Sequence, residues 1–322
     1  MKLRILLSYH YYKKTDLDQI MRAQFGDPYP EVFADSGAFS AETQGASINL
    51  EEYAAWLFRW RHWFTTYANL DVIGAARGDP ESTWANQKRL EDKGLRPLPC
   101  FHTREDWSWL EKYLDEYNYI ALGGLVPFSG ARPAYVPWLV RCFQLAKARA
   151  VFHGFGVTTW RAMRDFPWYS VDSSSWGQGF RYGVLCLFCP RRKKRQRMKM
   201  GTRAVYKEAE LIRWYGFDPA LFAVRDPAIR PQVCTISALS SMVEETHIRS
   251  YRGLITPPGA SSSEINTTPP TTDPGLKFYI VDGSPENLTN AAAGIKIFLG
   301  EASHNAVDAQ SVFAYLTKKA FL

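Results

Sequence analysis

The first half of this sequence alternates between two periodicities, and that alternation limits the folds open to it. Short β-rich apolar runs are each followed by a longer stretch with apolar residues at helical spacing. Leu3 to Tyr9 (LRILLSY) reads as a strand and Leu17 to Ala23 as a helix. Val32-Phe33-Ala34 is a second strand ending at Asp35. Leu50 to Tyr67 carries Tyr53, Trp56, Leu57, Trp60 and Phe64 at helical spacing, and Leu70 to Ile73 reads as a third strand. Asp79-Pro80 opens the next helix, with Pro80 in a first-turn position. Strands at Arg96–Phe101, Tyr119–Leu122, Ala150–His153 and Tyr169–Val171 follow. Helices at Glu105–Tyr117, Val136–Ala148 and Thr158–Arg164 lie between them.

Repeated βα units imply a parallel sheet. About seven strands precede residue 175, and an eighth is available from Val184–Phe188 or from Lys277–Val281. The expected fold is α/β, a (β/α)8 TIM-like barrel, with a doubly wound open sheet as the second choice. A barrel of this type uses roughly 250 residues, and the chain has 322. The expected division is a barrel over residues 1–255, a flexible Pro/Ser/Thr-rich segment over 256–275, and a C-terminal α/β extension over 276–322 that packs on the barrel. Helices are expected at Asn290–Leu299 and Ala309–Lys318. A basic insertion at about 188–202 (PRRKKRQRMKM from Pro190) interrupts the barrel.

Composition narrows the partners. The net charge is +7, which favours a polyanion. The five cysteines, Cys100, Cys142, Cys186, Cys189 and Cys234, are odd in number and scattered, unlike a disulfide scaffold. The N-terminal apolar run is too short for a signal peptide, and no run approaches the roughly 20 apolar residues that cross a bilayer. A cytoplasmic protein without membrane contact is expected.

Unusual residues cluster where strands end. Asp35-Ser36-Gly37-Ala38-Phe39-Ser40 follows the second strand, and His102 follows the fourth. Gly123-Gly124 follows the fifth, His153-Gly154-Phe155-Gly156 the sixth, and Asp172-Ser173-Ser174-Ser175 the seventh. In a parallel barrel these ends share the rim that holds active sites. Two carboxylates on one rim suit chemistry at a glycosidic bond, one attacking the anomeric carbon and one handling the proton of the leaving base. Taken singly, Asp-Ser-Gly is also a common turn and Gly-Gly a common strand exit.

These segments, in this order, resemble the tRNA-guanine transglycosylase superfamily. Asp35-Ser36-Gly37-Ala38-Phe39 resembles its DSGGF motif, and Tyr119 to Leu125 resembles its LGGL strand. Phe155-Gly156-Val157-Thr158 followed by Val171-Asp172-Ser173 resembles its G-V-G-T segment and later nucleophilic aspartate. The resemblance runs from about residue 30 to residue 176, roughly half the chain. Leu6 to Tyr11 and Gly78-Asp79-Pro80-Glu81 look closer to a phage branch, which inserts 7-deazaguanine bases into DNA. Ala38 and Ser40 depart from the family's motif, which has Gly and Gln there.

The resemblance implies Asp172 as nucleophile and Asp35 as general acid–base residue. It implies base contacts from Ser36, Gly37, Gly123 and Gly124, with Asp79 and His102 in base-reading positions. The family's Cys-x-Cys-x-x-Cys zinc motif is absent in that form. Cys186, Cys189, Cys234 and His247 are the candidates for a structural zinc. Arg191, Arg192, Lys193, Lys194, Arg195 and Arg197 follow the nucleophile closely and are expected to contact phosphates. The expected activity is exchange of guanine in DNA for a 7-deazaguanine such as the 7-cyano form, without a required cofactor. The alternatives are the same exchange on tRNA, a nucleoside hydrolase, and a barrel that binds nucleic acid without catalysis.

Overall fold

The computed structural model describes residues 3–25, 29–73, 78–125, 135–147, 149–157, 159–252 and 276–281. The segment 256–275 and the helices expected at Asn290–Leu299 and Ala309–Lys318 lie outside the described residues.

The fold is α/β, built on one curled sheet of eight parallel strands. The strands are β1 (Arg4–Ser8), β2 (Glu31–Asp35), β3 (Phe64–Tyr67), β4 (Cys100–His102), β5 (Tyr119–Gly123), β6 (Val151–Gly154), β7 (Ser170–Ser173) and β10 (Lys277–Val281). Their order across the sheet is β3-β2-β1-β10-β7-β6-β5-β4. The two ends of that order touch. Ala68 and Leu98 form a parallel bridge, and Leu98 N donates to Tyr67 O at 2.7 Å.

Side-chain parity explains how the sheet curls. Successive strand residues face opposite sides. Leu6, Phe33, Ala68, Leu98, Cys100, Tyr119, Ala121, Val151, Tyr169 and Tyr279 form one buried cluster. Ile5, Leu7, Val32 and Ala34, of opposite parity on β1 and β2, join a second cluster with helix residues Tyr53, Trp56 and Leu57. The concave face therefore carries an apolar layer of its own, as strands buried on both sides require.

Below that concave apolar layer lies a buried charge network. Arg4 Nε donates to Glu31 Oε2 at 3.1 Å, Lys277 Nζ to Glu31 Oε1 at 2.6 Å, and Tyr279 Oη to the same oxygen at 2.7 Å. Arg4 also pairs with Glu245, whose other oxygen accepts from Phe278 N at 2.9 Å. Burial works against the Glu31 charge, but Arg4 and Lys277 overcome it and hold the carboxyl below its ordinary range.

Several elements differ from the sequence reading. The helix ends at Trp60, and the third strand is Phe64–Tyr67 rather than Leu70–Ile73. Thr65 and Thr66 suit a strand, whereas backbone groups of Leu70 and Val72 are taken up by the next helix. Asn86 Nδ2 donates to Leu70 O at 3.0 Å and Val72 N to Thr83 Oγ1 at 2.9 Å. The fourth strand begins at Cys100 rather than Arg96, because Pro97 and Pro99 have no N–H to donate. The eighth strand of the sheet is Lys277–Val281. It lies between β1 and β7, so these residues belong to the main sheet and are not an extension packed on it.

Val184–Cys189 (β8) pairs instead with Lys194–Lys199 (β9) in a separate antiparallel hairpin. The basic insertion is thus a β-hairpin with Lys193 at positive φ in its turn. Behind it runs the longest described helix, Arg230–Arg252, which packs on β8 and β10.

Candidate functional site

The C-terminal ends of the parallel strands bring together the carboxylates of Asp35, Asp71 and Asp172. Asp35 ends β2, opposite Ser8 in register. The chain then turns at Gly37, which has φ +77°. A Cβ there would lie 2.1 Å from Ser8 Oγ and 2.7 Å from His10 Cβ, so only glycine fits both the conformation and the space. The turn points the Gly37 amide at Asp35 Oδ2, at 2.9 Å. Ser36 is buried, and its Oγ accepts from Ala38 N at 3.3 Å. Burial raises the Asp35 pKa to about 7, with the charges of Asp71 and Asp172 adding to it against the Gly37 amide. Asp35 therefore keeps a proton close to neutrality, where a carboxyl is able both to give and to take one.

Asp172 is on β7, opposite Tyr279. Its Oδ1 accepts from Gly156 N at 3.0 Å and lies 3.3 Å from His153 Nε2, off the line of an ideal hydrogen bond. His153 is fully buried and stacks on Phe33, with centroids 4.6 Å apart. Its Nδ1 is 2.7 Å from Ser170 Oγ, which is 2.6 Å from Tyr119 Oη. One assignment of protons satisfies this chain: Tyr119 donates to Ser170, Ser170 to His153 Nδ1, and Nε2–H faces Asp172. Both contacts fall on Oδ1, leaving Oδ2 for chemistry. The sequence places His153 at a strand end without a role, and its position beside Asp172 emerges only from the fold. The parity of His153 and Val151 on one strand is the signal that points it inward.

A second cluster lies at the end of β4. His102 Nε2 is 3.1 Å from Asp71 Oδ2 and 3.5 Å from Cys100 Sγ. His102 Nδ1 is 3.1 Å from Glu105 Oε1, while His102 N donates to Glu105 Oε2 at 3.1 Å. Burial opposes a charge on His102, but Cys100 and Asp71 overcome it and hold its pKa well above the ordinary value. Burial, with Asp71, pushes the Cys100 thiol up. Gly123 makes room for the imidazole, since a Cβ there would lie 2.5 Å from His102 Cδ2. Gly124 follows at the strand exit, where its carbonyl accepts from Thr103 Oγ1 at 3.1 Å.

Asp71 was not among the residues expected from sequence. Asp79, which was, caps the Pro80–Asp92 helix, accepting from Ser82 N at 2.9 Å and Ser82 Oγ at 2.6 Å. The structure thus gives Asp79 a helix-capping position and puts Asp71 among the strand-end carboxylates.

The four zinc candidates do not converge. Cys186 and Cys189 are three residues apart on one strand and so face opposite sides. Cys234 and His247 lie on one continuous helix, thirteen residues and therefore about 20 Å apart. His247 instead packs at a tilt against the rings of Trp160 and Phe188. No zinc chemistry is derived from these four.

The basic hairpin divides in two. Arg195 Nε donates to both Glu244 oxygens at 2.9 Å, and its guanidinium reaches Ser175 Oγ at 3.2 Å. It is an internal strut rather than an exposed phosphate contact. It also ties the hairpin to the segment just after Asp172, where Ser175 N donates to Ser173 Oγ at 3.0 Å. Arg192 pairs with Glu208. Arg191, Lys193, Lys194 and Arg197 are exposed. A small apolar recess, lined in part by Leu125, Tyr135, Val157 and Gly156, opens beside the amide that holds Asp172. No helix among the described residues is long and apolar enough to cross a membrane. No family model matches the chain, and no curated protein matches it.

Proposed function

We propose that this protein is a DNA-guanine transglycosylase that exchanges guanine for a 7-deazaguanine base through a covalent Asp172–sugar intermediate. The observation that carries the reading is the pairing of two unlike carboxylates at the strand ends. Asp35 retains a proton close to neutral pH, while Asp172 is oriented through one oxygen by Gly156 and His153. A carboxyl that holds its proton near neutrality suits the acid–base role, and a carboxylate held in place by fixed donors suits the attack. The contact between Ala68 and Leu98 supports reading the curled sheet as a closed (β/α)8 barrel, with this rim as its active face.

In the first step Asp172 Oδ2 attacks C1′ of the target nucleotide. The bond from C1′ to N9 of guanine breaks, and Asp35 gives its proton to the departing base. In the second step a 7-deazaguanine enters the same face and its ring nitrogen attacks C1′. The Asp172–C1′ bond breaks and Asp35 takes up the proton of the incoming base. One glycosidic bond replaces another, so the exchange consumes no nucleotide triphosphate and transfers no electrons. The target base leaves its stack to reach the rim. The exposed cations of the hairpin, fastened beside Asp172 through Arg195 and Ser175, supply charge for the phosphate backbone.

The test is nucleoside mass spectrometry after incubation with 7-cyano-7-deazaguanine and either duplex DNA or tRNA. Incorporation into DNA that disappears in Asp172→Ala is the expected result. Incorporation into tRNA alone would keep the chemistry and change the substrate. Full activity in Asp172→Ala, or guanine release without incorporation, would overturn the mechanism.

A further inference from the structure

We infer that Asp71, Cys100 and His102 form a mononuclear site for a divalent transition metal of the zinc type. The inference does not depend on the reaction proposed above. It rests on four features of the β4 cluster.

The first is the ligand set and its spacing. Asp71, Cys100 and His102 each direct one ligand atom into a common region, all within 4.8 Å of one another, and this is the one such group among the described residues. Cys100 and His102 are two residues apart on one strand, so they share a face. Cys186 and Cys189, three apart, do not. The second is the shape of the group. Ligands bound tetrahedrally to zinc at the usual bond lengths stand about 3.3 Å apart for nitrogen and oxygen and about 3.5 Å apart for nitrogen and sulfur. The separations here are 3.1 Å from His102 Nε2 to Asp71 Oδ2 and 3.5 Å from Nε2 to Cys100 Sγ.

The third is the carboxylate behind the histidine. Metal-bound imidazoles commonly donate their remote N–H to a carboxylate, which fixes the tautomer that presents a lone pair to the ion. Glu105 Oε1 stands 3.1 Å from Nδ1. The Glu105 side chain is 2% exposed, and its second oxygen is anchored by the His102 amide. The fourth is an unmet need. Asp71 Oδ1 is buried and has no hydrogen-bond partner. A metal cation between Asp71 and His102 would take the place of a proton on Nε2 and give the Asp71 carboxylate a partner.

Coordination forms bonds to Asp71 oxygen, Cys100 sulfur and His102 Nε2. It releases to solvent the Cys100 thiol proton and any proton on Nε2. Three protein ligands leave a fourth position open, as in sites that bind water or a substrate atom.

The test uses the full chain, stripped of metal by chelator and titrated with Co2+ and then Zn2+. Co2+ is expected to bind one equivalent and to give a thiolate-to-metal charge-transfer band, which Zn2+ then displaces. Cys100→Ser is expected to abolish the band. Asp71→Asn and Glu105→Gln keep the thiol and are expected to weaken Co2+ binding about 10- to 100-fold or more. They carry the test if Cys100→Ser does not fold by circular dichroism. The double variant Cys186→Ser, Cys189→Ser is expected to bind as the unaltered chain does. The inference is overturned if no Co2+ binds, if the band survives in Cys100→Ser, or if the hairpin variant loses it. No base exchange enters these readouts, so a failure here leaves the transglycosylase reading standing, and the reverse.

Discussion

Replacing Asp35 by Asn should make the protein more stable at pH 8 and leave its stability nearly unchanged at pH 4. Asp35 titrates near 3.8 when unperturbed and at about 7 in the folded chain. Between those values the unfolded state gives up its proton while the folded state keeps it. Stability therefore falls as pH rises through that window, and the loss is complete above about 7. A separation of roughly three decades corresponds to at most about 4 kcal/mol. Asp35 is partly exposed at the rim, so solvent screening reduces this to about 2–4 kcal/mol. Asn keeps the side-chain oxygen that accepts from the Gly37 amide and removes only the charge. Urea unfolding at pH 4, 6 and 8, with a chelator present so that no metal ion alters the field at Asp35, reads the difference directly. At roughly 2 °C or more per kcal/mol, the melting temperature at pH 8 should rise by several degrees. A variant equal to or below the unaltered protein at pH 8, or a gain that does not change with pH, refutes the reasoning. Base exchange should be lost in the same variant, because the stabilised form no longer carries a transferable proton.

Two further outcomes follow from the geometry. Gly37→Ala puts a Cβ at positive φ within 2.1 Å of Ser8 Oγ and should cost about 2–4 kcal/mol, read by thermal melting; a loss below roughly 0.5 kcal/mol would mean that the turn relaxes freely. In the hairpin, Lys194→Gln combined with Arg197→Gln should reduce the steepness with which DNA affinity falls with salt, by about 0.9 for each phosphate contact removed. Arg195→Met should instead cost about 3–5 kcal/mol of stability, because it leaves Glu244 buried and unpaired.

The parts of the fold legible in the sequence were those governed by periodicity. The helices and strands from residue 80 to residue 173 fall close to where their apolar spacing places them, and Asp35 and Asp172 sit at strand ends as their positions imply. The misreadings share a cause, which is that a local pattern is overruled by what the segment packs against. Leu70 to Ile73 is apolar but spends its backbone on the following helix. The Arg230–Arg252 helix went unread because its buried face includes Thr235, Ser237, Ser240, Ser241 and Glu244, which blunt the apolar stripe. The basic run reads as an insertion of no stated structure until Met198 and the partner strand β8 show it to be half of a hairpin. Asp71 was passed over for Asp79 because the resemblance put Asp79 in a base-reading position, although Asp79-Pro80 also reads as the cap and first turn of a helix. His102 was placed correctly by its strand end, but its neighbours Cys100 and Glu105 acquire meaning only in three dimensions.

The position of β10 shapes how the chain is made as well as how it is held. β1 and β7 are separated in the sheet by a strand drawn from more than a hundred residues beyond β7. A ribosome that has delivered β1 to β7 has therefore exposed two unpaired strand edges flanking a missing slat. It has also placed Arg4 and Glu31 in a cavity that awaits Lys277 and Tyr279. Long-range pairing of this kind closes late and leaves such edges open to wrong partners in the meantime. The buried charges make an apolar intruder in that gap costly. The same network that fastens β10 in the finished protein thus discriminates, during synthesis, among the strands that could fill its place.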